Sequence, residues 1–549
     1  MKNFIKNNVL FIFFSIIYLF IGILNVKDYG VGIEEHFQRS SGFFWLNFIL
    51  DHLSLDSLKM VAENKFLELK EFSPDLPRLS IANYYGILFD LPAALIESLL
   101  NIKNPNTFFY LRHLMNFLFF YIGGVFFYKI LSIRFSKQII PFLGTCMYLL
   151  TPKIYGNSFF DGKDVFFLSI LTISFYFYLN YEKNKNLGSL IMMILLFSFS
   201  TSSRIFGLML PVSFIFLVLL ETLNSKNPNK NFILILIFST LYLIFLFLHW
   251  PYMWTFDYTQ VLNFFDPFKV HTDLKVFFEG SFYESSHLPL KYIPKWIIIS
   301  TPIFYLIFFS IGIFFYLKRI FLRIINIEAK SLGNDLWKGK KEKFDFFIFF
   351  SFFQIFVIYV STNPNLIKGW THFLFLNYFI VYFASLGIFY LLNFFRKKKF
   401  FIQLFFLIII FFFSELLYKI VIYHPYQSIY LNNFMTKKNK NLYQVDYQSL
   451  SRSEAILEIL KDTKKERTIV GTASWTPLKN GMSMVPINIK KQILFSGTSN
   501  KEKADYIYTN FFYEVDTRYN KKYSIPENFN IFKTLYIDDI KVYSIYKKN

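Results

Sequence analysis

Five short stretches of the chain carry residue types suited to chemistry on a charged substrate. The first runs from Asp28-Tyr29-Gly30 to Glu34-Glu35-His36 and follows the first apolar run directly. Two adjacent carboxylates at a membrane boundary are costly unless solvated or paired, and apolar surroundings can tune one of them into a general base. Gly30-x-Gly32 lacks a third glycine and follows a membrane helix, so it is not a dinucleotide fingerprint. The second stretch, Thr151 to Asp164, holds Asn157 and the pair Lys163-Asp164. Asp164 at a helix start serves as a cap, and Lys163 offers a phosphate a point charge. Arg204 and the pair Arg112-His113 are the third and fourth. Arginine within apolar sequence either snorkels to the interface or faces a partner, and it is the preferred bidentate ligand of phosphate. The fifth is Gly369-Trp370-Thr371-His372. A lone histidine beside a belt tryptophan is as readily interfacial filler as a ligand.

The elements that must position these residues are membrane helices. Of 549 residues, 54% are hydrophobic and 22% aromatic. Apolar runs of bilayer-crossing length recur at about 7–26, 107–129, 138–152, 164–181, 188–202, 205–221, 232–250, 294–317, 345–361, 372–394 and 400–421. This excludes an ordinary cytosolic protein and an intrinsically disordered one. A single cysteine, Cys146, excludes an internal disulfide and a cysteine-cluster metal site. The first run lacks a small-residue cleavage site and is expected to stay as a signal anchor.

The net charge of +21 is mostly topology. With eleven spans, the basic turns at Lys2/Lys6, Lys129–Lys137, Lys183/Lys185, Lys226/Lys230, 318–343 and Arg396–Lys399 all fall on one side. The segment 318–343 alone holds eight basic and three acidic residues. The opposite loops are less basic: 27–80 holds six basic and nine acidic residues, 252–293 three and five. The positive-inside rule then puts the N-terminus in the cytoplasm and the C-terminus outside, and no nucleic-acid partner is called for. Residues 27–106 form a first outer loop, in which 81–100 is expected to lie at the interface because Asp90, Pro92 and Glu97 interrupt it. Residues 422–549 are expected to form a small outer α/β domain, with a helix at Ser451–Lys461, strands at Thr468–Gly471 and Tyr506–Tyr508, and a hairpin turning at Asp538-Asp539. All five stretches lie at the outer boundary on separate helices, as expected for one cavity at the membrane–water interface. No internal repeat is evident, whereas repeat-built transporters place such residues near the midplane.

In these residues the chain resembles the GT-C superfamily of membrane glycosyltransferases, and within it the family-39-like bacterial proteins, which include protein O-mannosyltransferases and lipid A aminoarabinose transferases. Asp28-Tyr29-Gly30 with Glu34-Glu35 is similar to a D-Y-G-x-x-W-D-E motif after the first helix, with Ile33 in place of Trp and Glu34 in place of Asp. Pro152, Phe159, Lys163 and Asp164 resemble a second motif, and Ser203-Arg204 a third. Gly369, His372 and Phe375 follow a G-x-R-H-x-x-F pattern in which Thr371 replaces the Arg. His424-Pro425-Tyr426-Gln427, Tyr430, Asn432 and Asp446-Tyr447 resemble the junction to the outer domain.

The resemblance implies a GT-C bundle over residues 1–421 and an inverting glycosyl transfer, of a hexosyl or pentosyl group, from a polyprenyl-phosphate-linked sugar at the outer face. Glu34, with Glu35 beside it, would be the catalytic base. Arg204, Lys163 and Arg112 would hold the donor phosphate, and Asp164, Asn157, His372 and Asp28 would orient substrate. No metal is expected to be obligatory; some members use a divalent ion, for which Glu34, Glu35 and Asp164 are the oxygen donors. The partners are then the lipid-linked sugar, membrane lipid, and an acceptor lipid, polysaccharide or protein. The location is a multi-pass bacterial inner membrane, with the C-terminal domain periplasmic. Two other classes remain open: a transporter or flippase of a lipid-linked precursor, which needs ionisable residues deep in several helices such as Glu415, and a catalytically inactive membrane binding protein, which the departures at Ile33, Glu34 and Thr371 allow.

Overall fold

The computed structural model describes residues 2–53, 55–72, 86–223, 225, 227–255, 273–325, 336–486 and 489–549. The chain is a membrane helix bundle followed by a small sheet domain. α1 (Lys2–Asn25) leads into α2 (Glu35–Leu53) and α3 (Asp56–Phe72). α4 (Asp90–Leu99) precedes the long α5 (Pro105–Arg134). α6 (Ile139–Leu150), α7 (Pro152–Phe160) and α8 (Asp164–Asn184) follow, then α9 (Leu187–Ser203), α10 (Met209–Leu223) and α11 (Pro228–His249). α12 (Tyr292–Ser300), α13 (Ile303–Ile325), α14 (Gly339–Thr362), α15 (Leu376–Phe394) and α16 (Lys399–Ile422) complete the bundle.

All eleven apolar runs are helical, and among the described residues nine helices are long and apolar enough to cross a bilayer. The other two apolar helices, α6 and α9, have 12 and 17 residues. α6 stops at Thr151, which is extended (ψ 112°) because it precedes Pro152. The single helix expected at 294–317 is two helices, for the same reason: Thr301 is extended before Pro302. The interfacial helix expected at 81–100 is shorter, since only Asp90–Leu99 is helical and 81–85 lie outside the described residues. Elsewhere local chemistry sets the starts. Asn104 caps α5 by accepting the Asn106 N–H, with Pro105 at the first helical position.

Packing is tightest where side chains vanish. A Cβ on Gly312 of α13 would collide with the Phe383 carbonyl oxygen of α15, and one on Gly387 with that of Phe308. This is the small-residue approach by which membrane helices gain contact without a hydrophobic drive. α15 is almost wholly buried, while α1, α11 and α16 turn Phe20, Leu236 and Phe411 outward. An exposed apolar belt of that kind fits a lipid environment.

After α16 the chain forms α17 (Arg452–Asp462) and a five-stranded sheet of β3 (Thr468–Thr472), β4 (Ile493–Gly497), β5 (Tyr506–Thr509), β6 (Phe529–Ile537) and β7 (Ile540–Lys548), ordered β4-β3-β5-β7-β6. β3 is parallel to β4 and β5, while β7 is antiparallel to β5 and β6. Asp538 and Asp539 both adopt positive φ, as a tight hairpin turn requires. β1 (Lys275–Phe278) and β2 (Ser281–Glu284) form a separate hairpin, turning at Glu279-Gly280. That hairpin and β4 are additions to the sequence expectation.

Candidate functional site at one end of the bundle

The loop after α1, the starts of α4, α5 and α8, the end of α9 and the segment before α15 converge at one end of the bundle. Glu34 lies on the turn into α2 and pairs with Lys368. Burial opposes its charge, but Lys368, then Lys163 and His372, outweigh that and hold its carboxyl well below the ordinary 4.5. Glu34 is therefore a carboxylate at neutral pH, and with a 31% exposed side chain it stays reachable. Glu35, the first residue of α2, is buried and points the other way. It accepts the Gly32 N–H at 2.6 Å and lies 3.1 Å from His113 Nε2. It fixes the loop in the manner of a capping carboxylate.

Asp164 opens α8, where the helix dipole favours a negative charge. It pairs with Arg204, the residue that ends α9, and lies 3.7 Å from His372 Nδ1. Arg204 Nη2 is 3.4 Å from the same His372 nitrogen. Burial lowers the pKa of His372, so at neutral pH it is an uncharged imidazole between a cation and an anion. Lys163, one residue before Asp164, lines a small cleft with Gln38, Phe89, Asp90, Phe166 and Ser203. Arg112 is buried over the Phe89 ring and pairs with Asp90. Among the described residues its Nε and Nη1 have no acceptor. Burial raises Asp90 to about 6 despite Arg112 and Lys163.

The structure thus gathers Glu34, Glu35, Lys163, Asp164, Arg204 and His372, with Arg112 beside them. Two of the residues taken from the sequence sit apart. Asp28 is half exposed and lies 3.0 Å from His424 Nε2. Asn157 is fully buried in α7, where its Nδ2 donates to the Lys153 carbonyl and its Oδ1 has no donor among the described residues. Three other residues belong to the site but were not singled out. Lys368 is the only charged residue in 361–371, and that isolation was the available signal. It supplies a cation three residues before Thr371. Asp90 was noticed only as an interruption of an apolar run. Asp161 was passed over for Asp164. It accepts the N–H of Asp164 at 2.8 Å, and burial together with the charges of Asp164 and Glu34 pushes its carboxyl well above the ordinary range. As for a metal, Glu34 and Asp164 each face a protein cation, and no grouping of three His, Cys, Asp or Glu ligands occurs among the described residues.

No protein-family model matches the sequence, and no curated protein sequence matches it. Among solved structures, the chain is similar to ArnT from Cupriavidus metallidurans in the apo state, with a TM-score of 0.48 and 10% identity over 98% of this chain and 97% of that one. It is similar also to ArnT from the same organism bound to undecaprenyl phosphate, with a TM-score of 0.47 and 9% identity over 98% of each chain.

Proposed function

We propose that the protein is an inverting GT-C-type membrane glycosyltransferase that takes a sugar from a polyprenyl-phosphate donor at the outer face of a bacterial inner membrane. One observation carries the proposal: an ionised, partly exposed carboxylate, Glu34, stands in the same network as Lys163, Arg204 and His372 at one end of the bundle, where Lys163 lines a small cleft. Glu34 takes the proton from an acceptor hydroxyl as that oxygen attacks the anomeric carbon. The bond from that carbon to the phosphate oxygen breaks, and the phosphate leaves with its charge. Lys163, Arg204 and the Nε and Nη1 donors of Arg112, which have no acceptor among the described residues, stabilise that charge where it develops. Asp164 and neutral His372 hold Arg204 in place. The order of the four motifs along the chain supports the same assignment. The main intramembrane carboxylate that a transporter would need, Glu415, accepts a 2.6 Å hydrogen bond from Asn433 beyond the end of α16.

The test uses purified protein in lipid nanodiscs with a panel of radiolabelled polyprenyl-phosphate sugars and membrane extract as acceptor. Wild type is expected to release label from the polyprenyl phosphate, and Glu34→Gln to lose about 10²–10⁴-fold of that rate, the usual worth of a positioned base. Equal turnover by both removes Glu34 from its role. Saturable binding without turnover would favour a transporter or a binding protein instead.

A further inference from the structure

The loop that carries Glu34 does not stand alone. Its backbone lies against residues 448–452, at the start of the C-terminal domain. Gly30 approaches the Leu450 carbonyl so closely that a Cβ would collide with that oxygen. The Ile33 N–H donates to the Gln448 carbonyl at 3.0 Å. Between these two contacts, Arg452 Nη2 donates to the Val31 carbonyl at 2.8 Å. The same guanidinium donates through Nε to the Ser449 carbonyl at 2.8 Å and through Nη1 to the Pro477 carbonyl at 3.2 Å. Arg452 is fully buried, and no carboxylate forms an ion pair with it among the described residues. Asp446 and Glu35 act on its charge only through space; a buried, permanently charged group with no carboxylate in contact is expensive, and its donors are spent on three carbonyls from three separate segments. Those segments are firmly built: Ser449 Oγ donates to Thr476 at 2.9 Å, Asn510 donates to the Asp446 carbonyl at 3.0 Å, and Ser453 donates to the Gly481 carbonyl at 2.9 Å.

We propose that Arg452 is a positioning residue: it locks the 29–33 loop onto the C-terminal domain and so fixes where Glu34 and Glu35 stand. The catalytic consequence rests on the proposed function; the brace itself does not. Glu34 follows Ile33 directly, and the Gln38 N–H donates to its carbonyl at 2.9 Å, so a shift of the loop carries the carboxylate with it. Misplacement by about 1 Å can cost roughly 10²-fold in rate.

The experiment compares wild type with Arg452→Met, Arg452→Lys and Gly30→Ala, all full length in nanodiscs. Hydrogen exchange is read first, because it needs no substrate. Peptides covering 28–36 are expected to exchange faster in Arg452→Met and Gly30→Ala, while those covering 506–509 stay as in wild type. Turnover is read second. In both variants kcat is expected to fall about 10–100-fold with donor KM little changed, and Arg452→Lys, which can reach fewer of the three carbonyls, should fall between. In a Glu34→Gln background Arg452→Met is expected to add no further loss. Unchanged exchange across 28–36 overturns the brace, whether or not wild type proves to be a transferase. Faster exchange with a loss that multiplies the Glu34→Gln loss overturns the positioning role. If Arg452→Met does not fold, Gly30→Ala displaces the same loop with the guanidinium intact, and wild-type exchange and kcat there overturn the proposal too.

Discussion

Glu34 is ionised because its cationic neighbours, Lys368 first and then Lys163 and His372, together outweigh the burial that opposes its charge. Since its folded pKa lies below the ordinary 4.5, the group adds stability above that pH and loses it as pH falls through the folded value. Lys368→Met removes the largest favourable influence. The acidic limb of the kcat/KM profile should then move to higher pH, and an unmoved limb would show that Lys368 does not set the base. Asp161 is the opposite case. Its folded pKa is raised, so it holds a proton that the unfolded chain releases above about 3.8, and stability falls as pH rises from there. Asp161→Asn keeps the acceptor for the Asp164 N–H and removes the titration. The thermal midpoint at pH 7 is expected to rise and its pH slope to flatten; a lower midpoint with an unchanged slope would mean the carboxyl works as an anion. Residue type and order along the chain made Glu34, Lys163, Asp164 and Arg204 legible in the sequence. Lys368 and Asp90 were not, because their meaning comes only from partners 334 and 22 positions away.

At the scale of elements, apolar length located eleven helical runs, because bilayer thickness acts on composition alone. It missed the short helix α7 that follows Pro152, and the break at Thr301-Pro302, since a proline interrupts hydrogen bonding without interrupting hydropathy. The break before α7 matters for the site: without it α6 would run on and the 161–164 turn could not face Arg204. Hydropathy is equally silent on how helices pair. The α13–α15 contact depends on Gly312 and Gly387, each facing a backbone carbonyl that cannot swing aside as a side chain can. Gly312→Val should therefore destabilise the protein by about 1–3 kcal/mol or more, the cost of overpacking. Gly188 in α9 faces nothing within 4 Å, and Gly188→Ala should be neutral or stabilising by up to about 1 kcal/mol. Thermal unfolding in detergent distinguishes the two, and equal midpoints would show that the close approach is not maintained in the membrane.

At the scale of the molecule, charge is sorted to the two ends of the bundle. One end holds the site and the C-terminal domain. The other holds a separate network: Arg134 and Arg319 both reach the fully buried Asp345, at 2.7 and 3.0 Å, while Lys343 bridges Glu182 and Glu221 at 3.0 and 2.6 Å. These two clusters tie the ends of α5, α8, α10, α13 and α14 together on the face where the basic turns gather. At the site end Arg204, Arg112 and Lys368 each pair with a carboxylate of another segment. The same asymmetry that the positive-inside rule reads in the sequence is thus built into helix packing, and a bundle inserted the other way would carry its basic turns across the membrane. The only cysteine, Cys146, is buried, so the native chain should be silent to an impermeant maleimide. Tyr519→Cys, at an 86% exposed position in the C-terminal domain, should label in intact cells whose outer membrane alone has been opened. Lys397→Cys, exposed in the turn between α15 and α16, should label only after the inner membrane is also permeabilised. The reverse pattern would put Glu34 on the cytoplasmic side and remove an outer-leaflet donor. Labelling of both from one side would mean that α16, the one helix of crossing length among the described residues between the two positions, does not cross.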